Sequence, residues 1–350
     1  LLHPQKKSSI KWPDILSPLI TPAAAFISLV LIITAVSSNP LNTLYIFLTS
    51  PISNNFYLGN MLNYAGLLII SASGISLVFK AGMFNLGGEG QIYSGVFTAT
   101  AVSIALSSYS PFLAIAGAIT AGSLTGAAMG TVSGYLKMKW NTNDLITSFL
   151  LSAAVIHIVN YLITGPMGDP ASYLITTREI PQALRLKQFL PPSKLNISFI
   201  AAIIIAVIYY IYLYRTASGL KLRTSGKSRL FAIYSGVRTE YFVTIPFLVS
   251  GLLNGLTGSF ASLGTYYMCA YNCTGGVGWS AIAVSLIGRN HPLLIIPAAL
   301  FISWMESGLS GIVLYSGFPF ELSPILQAFV FFFITAKFFK KEGYGDRRHF

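Results

Sequence analysis

Long apolar runs, each close to the length of a membrane crossing and parted by short polar stretches, set the pattern of this chain. A bilayer core about 30 Å thick takes roughly 20 apolar residues as a helix. Eight runs approach or exceed that length, at residues 16–36, 56–79, 111–136, 145–164, 197–213, 241–263, 292–314 and 324–339. Two shorter runs, 91–106 and 277–287, adjoin glycine-rich sequence and read as parts of broken or tilted helices. The pattern predicts an all-α fold: a polytopic transmembrane helical bundle of about ten segments, two of them short or broken.

Charge orients that bundle. With the N-terminus inside, 18 of the 22 basic residues fall on the cytoplasmic side, as positive-inside sorting expects. They include Lys6, Lys7, Lys11, Lys80, Lys137, Lys139, Arg289 and the tail from Lys337 to Arg348. Arg215, Lys221, Arg223, Lys227, Arg229 and Arg238 share one central cytoplasmic loop, 215–240. Only Arg178, Arg185, Lys187 and Lys194 lie outside, in the long 165–196 loop, beside Asp169 and Glu179. Both termini are expected in the cytoplasm. Residues 1–14 are polar and basic, and no small-residue cleavage site follows the first apolar run, so no cleavable signal peptide is expected.

Composition removes the soluble alternatives. Charged side chains make up 9% of the chain and the mean hydropathy is +0.67; soluble domains carry roughly a quarter charged residues. Residues 1–350 therefore read as a single membrane domain. The net charge of +12 sits in short clusters between apolar runs, which argues for membrane lipid as a neighbour and against nucleic acid. Cys269 and Cys273 are too few for a disulfide framework and are expected as small packing residues, with pairing left open. No His/Cys/carboxylate cluster suggests a metal, no catalytic constellation suggests an enzyme, and no cofactor is expected.

The most unusual stretch runs from Lys80 to Gln91, where glycines and an acidic residue interrupt what should be apolar helix. Irregular backbone at membrane depth must be buried in protein or line a cavity, and an ionisable residue there reads as functional by default. Asn85, Glu89 and Gln91 are accordingly candidates for a solute pathway. An alternative, compatible with the first, makes this a cytoplasmic turn in which Glu89 caps the next helix and the glycines permit close packing. Asn254, Trp279, Glu306 and Gln327 are further polar or aromatic candidates within spans. Trp279 and Tyr266 or Tyr267 suit a flat ring, although such residues also favour membrane interfaces. His157, alone on an apolar face, is expected as a hydrogen-bonded packing residue. Gly226-Lys227-Ser228 imitates the end of a phosphate-binding loop, but Lys221 stands where its first glycine is needed and no strand precedes it. ATP hydrolysis by this chain is not expected.

Phe79-Lys80-Ala81-Gly82-Met83-Phe84-Asn85-Leu86-Gly87-Gly88-Glu89-Gly90-Gln91 resembles the signature of bacterial ABC importer permeases of the branched-chain amino-acid/simple-sugar/nucleoside group, most of all the nucleoside type. Asn143-Asp144-Leu145-Ile146-Thr147-Ser148, the run from Gly278 to Asn290, and Pro319-Phe320-Glu321-Leu322 with Gln327 resemble its further motifs in the same order. Glu306 lies outside all of them. The run from Arg223 to Val237 is similar to the family's coupling segment, with Gly226 and Gly236 at the ends of a short helix and Ala232 between. The resemblance implies coupling through Arg223, Gly226, Ala232 and Gly236 to two ATP-binding subunits. It further implies a second permease (the same or a homologous chain), an extracytoplasmic solute-binding protein, a bacterial inner-membrane location and a small solute. A nucleoside is the first expectation; riboflavin, a simple sugar, or an ion-coupled transporter using Glu89 or Glu306 are the alternatives.

Overall fold

The computed structural model describes residues 37–316, together with 26–27, 30–35 and 328. Small polar side chains open seven of the helices that follow by accepting from the first free amides, as helix N-caps do. Asn39 opens α1 (Pro40–Thr49), and Asn54, bonded to the Tyr57 amide at 3.0 Å, opens α2 (Asn55–Lys80). After an irregular stretch comes α3 (Gly88–Ala105), and then α4 (Pro111–Trp140), capped by Ser110. Asn143 caps α5 (Asp144–Thr164), Asn196 caps α6 (Ile197–Arg215), Thr216 caps α7 (Ala217–Lys227) and Ser228 caps α8 (Arg229–Tyr234). The chain continues through α9 (Tyr241–Ala261), which ends in a π-turn at Ser262–Tyr266, then α10 (Val277–Ile287) and α11 (Pro292–Tyr315).

Six of these helices are long and apolar enough to cross a membrane: α2, α4, α5, α6, α9 with its π-turn, and α11. They match six of the runs expected from the sequence. Of the two short runs, 91–106 lies within α3 but for its last residue, and 277–287 is α10, whose 11 residues rise about 16 Å, half a bilayer core. Most of the expected spans 16–36 and 324–339, the Pro319–Leu322 motif and Gln327 lie outside the described residues.

The middle of the bundle is α2. Within its most apolar window 83% of residues are buried, against 28% in α5 and in α6. On one flank α4 packs along α9 through a stripe of glycines at four-residue spacing, Gly122, Gly126, Gly130 and Gly134. A Cβ on Gly126 would fall 2.3 Å from the Gly251 carbonyl oxygen, and one on Gly255 would fall 2.2 Å from that of Gly122. Small residues at such a seam let two membrane helices approach to backbone contact. The 165–196 loop folds back over the end of the bundle that carries residues 263–271. Its backbone pairs with theirs, Thr177 N–H to the Cys269 carbonyl (2.9 Å) and Ile180 N–H to that of Tyr267 (2.7 Å), and it buries Ile180 and Leu184.

Candidate functional site

The stretch between α2 and α3 is held by α5. Gly82, at φ +78°, turns the chain out of α2, and residues 83–87 then run without helical structure. The Phe84 amide donates to Asp144 Oδ2 (2.7 Å), Leu86 to Ser148 Oγ (3.0 Å) and Gly90 to Ser152 Oγ (2.8 Å). Positions 144, 148 and 152 share one helix face, so α5 offers a ladder of acceptors to backbone that no helix satisfies. Asp144 also pairs with Lys137 at 3.2 Å, tying in the end of α4. This ladder makes irregular backbone tolerable inside a bundle of membrane helices. The four-residue spacing of these acceptors is present in the sequence, but it does not mark them as partners of this stretch.

Three of the polar candidates, Asn85, Gln91 and Asn254, meet in one network. Asn85 Nδ2 donates to Gln91 Oε1 (3.2 Å) and Ser250 Oγ (2.9 Å), while Asn85 Oδ1 accepts from the Gly87 amide (2.9 Å). Asn254 Nδ2 donates to the same Gln91 oxygen (2.7 Å), and the Ser71 hydroxyl donates to Asn254 Oδ1 (2.6 Å). All five side chains are buried. Their polar atoms are turned on one another, which binds α2, the signature stretch, α3 and α9 into one unit; buried polar groups persist when so satisfied. A second such cluster, not anticipated, joins Tyr93, whose hydroxyl donates to Asn160 Oδ1 (2.7 Å), to Asn272 through Asn160 Nδ2 (3.1 Å).

Glu89 stands apart from that network, half-buried in the first turn of α3. Its carboxylate accepts from the amides of Gly276 (3.0 Å) and Gly278 (2.7 Å), at the start of α10. Helix N-termini present unpaired amides and a positive partial charge, and a carboxylate answers both. Glu89 is thus a cap, as one of the two sequence readings had it, but of a helix almost 190 residues further on. The two short helices therefore meet N-terminus to N-terminus. Gly278 makes the approach possible: a Cβ there would sit 2.4 Å from the Glu89 nitrogen and 2.7 Å from its Cα. The next residue, Trp279, is 40% exposed, with its ring 6.2 Å from that of Phe149 on α5, itself 45% exposed.

A third junction lies where α2, α7 and the α10–α11 turn converge. Gly226 of α7 lies against the α2 terminus, where a Cβ would fall 2.2 Å from the Lys80 carbonyl oxygen and 2.7 Å from the Ala81 carbonyl carbon. Gly82 is the reciprocal contact, 2.7 Å from the Gly226 oxygen by the same measure. Arg223 stacks on Tyr214 (4.9 Å), and Tyr214 on His291 (5.2 Å), while Lys80 Nζ donates to the Arg289 carbonyl (3.4 Å). Burial, and then the positive charge of Lys80, push His291 below its usual pKa. Ala232 is buried on α8, which Gly236 (φ +75°) ends by bonding its amide to the Ile233 carbonyl, while Val237 bonds that of Ala232. That pair of bonds is a Schellman turn, which favours glycine at this place. The short helix expected between Gly226 and Gly236 is present as α8, with α7 as a second helix before it. Gly226-Lys227-Ser228 spans the α7–α8 joint, with no strand before it.

Other expectations fared differently. His157 is exposed on α5 rather than packed; every fourth position of an outward helix face is presented to whatever surrounds the bundle. Glu306 is partly buried on α11, its carbonyl accepting from the Ser310 hydroxyl (3.1 Å). Cys269 is buried, Cys273 is partly buried, and both are free thiols. Among the described residues no group of three His, Cys, Asp or Glu side chains is placed to hold a metal.

Six long apolar helices, with two shorter apolar ones that meet at their N-termini, make this a multi-pass membrane protein, consistent with the bacterial inner membrane. Residues 57–335 match the family described as branched-chain amino acid transport system / permease component, and the chain belongs to that family of ABC importer permeases, which are transport subunits rather than enzymes. It is 31% identical to the "Probable riboflavin import permease protein RfuC" of Treponema pallidum, over 87% of this chain and 81% of that one. It is 26% identical to the guanosine ABC transporter permease protein NupP of Bacillus subtilis, over 81% and 82% of the two chains. With the glucose ABC transporter permease protein TsgB13 of Haloferax volcanii the identity is 27%, over 95% and 91%. No solved structure gives a significant match.

Proposed function

We propose that this chain is the permease subunit of an ABC importer for nucleoside-like solutes, crossing the inner membrane about ten times with both termini in the cytoplasm. Two ATP-binding subunits drive it, a second permease (the same chain or a homologue) completes the pathway, and an extracytoplasmic binding protein delivers the solute. The observation that carries this reading is the continuity between two junctions. Gly226 of the coupling segment abuts Gly82, and seven residues further on Glu89 holds the start of α10. Displacement of α7 and α8 by closing ATPases is passed through the 82–89 stretch to the place where α3 and α10 meet. Arg223, stacked on Tyr214, fixes α7 to the bundle, and α8, with its buried Ala232, packs on α7.

In this reading Glu89 and Trp279 face the pathway, while Asn85, Gln91 and Asn254 form the rigid wall behind them. Glu306 is the remaining pathway candidate, on α11. The exposed Trp279–Phe149 pair suits a flat heterocycle, since aromatic faces stack. A nucleoside has such a ring on a hydroxylated sugar, and the guanosine relative supports it. Riboflavin, also a flat ring with a hydroxylated chain, is the second reading, favoured by the relative of 31% identity. Competition for uptake by the assembled importer tests the choice. Guanosine and adenosine should displace a labelled nucleoside, riboflavin should compete weakly, and glucose should not compete. Uptake blocked by glucose alone would contradict the proposal.

A further inference from the structure

An apolar crevice opens between α2, α6 and α9, lined by none of the residues of the Glu89 junction. Its cavity of about 270 Å³ is lined by residues that include Leu77, Ile208, Tyr212, Leu222, Ile245 and Val249. The polar groups of its wall are engaged elsewhere: Tyr209 and Ser76 share a hydrogen bond of 2.9 Å, and Ser73 donates to the Ile69 carbonyl. A cavity so lined offers water no partners and stays dry or takes hydrocarbon. Ile208 and Ile245 are 59% and 45% exposed, so the crevice opens sideways, toward the lipid. From Ile245 to Leu253 it follows about 12 Å of helix, a shape suited to a chain rather than to a compact solute.

A second cavity, of about 450 Å³, adjoins it at the end nearest the coupling helices, and its lining includes Ser218, Lys221, Arg238 and Tyr241. Their linings neighbour each other at three places. The Tyr212 and Ser218 hydroxyls are 3.3 Å apart, Lys221 and Leu222 are adjacent, and Tyr241 lies one turn before Ile245 on α9. Lys221 and Arg238 are exposed, and neither has an ion-pair partner among the described residues, Glu240 included. A dry slot ending at two unneutralised cations has the polarity of a phospholipid. We propose that this crevice binds one anionic phospholipid, an acyl chain in the slot and the headgroup phosphate at Lys221 and Arg238. The placement in the cytoplasmic leaflet rests on the orientation proposed above; the site itself does not. Because Leu222 belongs to α7 and is buried at the mouth of the slot, the lipid braces the coupling segment against α9.

Native mass spectrometry of the purified permease in detergent, with phosphatidylglycerol and phosphatidylcholine offered in equal amounts, tests this without relying on transport or topology. One phosphatidylglycerol should be retained, preferred about 30-fold over phosphatidylcholine, as two cations at a membrane surface provide. The double variant Lys221→Gln/Arg238→Gln, altered only at exposed positions, should lose the preference. Val249→Trp, which fills the slot, should lose the adduct. Equal retention of both lipids would overturn the proposal. So would a preference that survives the charge variant, or exclusion of lipid by a second permease copy seated on this face. Any of those results beside intact ATP-driven uptake would leave the importer reading in place.

Discussion

Glu89→Gln is the most informative single change, because it alters the charge and one donor–acceptor contact while leaving the volume unchanged. The carboxylate accepts from the Gly276 and Gly278 amides at 3.0 and 2.7 Å. A carboxamide keeps one acceptor oxygen but turns an N–H group toward the other amide. Losing one hydrogen bond to a charged group removes about 1.5–3 kcal/mol, and the orphaned amide adds a similar penalty when it stays buried. The lost attraction between a carboxylate and the start of a helix is worth about 0.3–1 kcal/mol more. With partial relief by solvent at a half-buried site, a net loss of about 3 kcal/mol follows, roughly a 150-fold shift toward separation of α3 from α10. Hydrogen exchange of the purified permease reads this directly. Amides 276–280 should exchange faster by about that factor, with little change in the α4–α9 seam. Unchanged exchange at 276–280 would refute the claim that Glu89 holds the two short helices together.

Four further substitutions have expected outcomes. Gly226→Val puts side-chain atoms into the Lys80–Gly82 backbone and should leave ATP hydrolysis running with little solute uptake. Gly236→Ala, whose Cβ meets nothing within 4 Å, should cost only the backbone strain of about 1–2 kcal/mol and keep hydrolysis and uptake linked; the ratio of ATP hydrolysed to solute moved distinguishes the two. Asn254→Leu strands Ser71 and one bond of Gln91 in the core and should lower stability by about 2–4 kcal/mol in thermal unfolding. His291, held below its usual pKa by burial and by Lys80, binds a proton less readily in the folded state than in the unfolded one. Its contribution is therefore harmless above about pH 6.5 and destabilising as pH falls below that value. Melting temperatures measured from pH 7.5 to 5 should fall less steeply for His291→Gln than for the parent.

Much of the frame was legible along the chain. The six long spans declare themselves by apolar length, and four of their starts by Asn54, Ser110, Asn143 and Asn196, because local capping chemistry needs only neighbours in sequence. The two short spans were visible as interruptions for the same local reason. What the interruptions do was not legible. Glu89 could be recognised as a carboxylate in an unusual place, but its partners are amides at 276 and 278, and backbone amides leave no mark in a sequence. Asn85, Gln91 and Asn254 stand out along the chain as polar residues in or beside apolar spans. That they face one another depends on the rotation of α3 and α9 about their axes, which the glycine contacts of Gly95 and Gly258 set. His157 is exposed for the same reason: spacing assigns a helix face, and only packing says whether that face is covered. The Asp144–Ser148–Ser152 ladder was hidden among many serines, and became visible only once it lay beside backbone in need of acceptors.

In the proposed function this chain moves solute with energy taken from ATP hydrolysed by other subunits and delivered through its coupling segment. Proteoliposomes holding the permease with its ATP-binding subunits and binding protein, loaded with ATP on the ATPase side, test it most directly. Uptake of a labelled nucleoside should require all three components and ATP, should survive a proton ionophore, and should collapse with Gly226→Val. Uptake by the permease alone that persists without ATP and vanishes when the proton gradient is dissipated would contradict the claim and make Glu89 or Glu306 a coupling carboxylate instead.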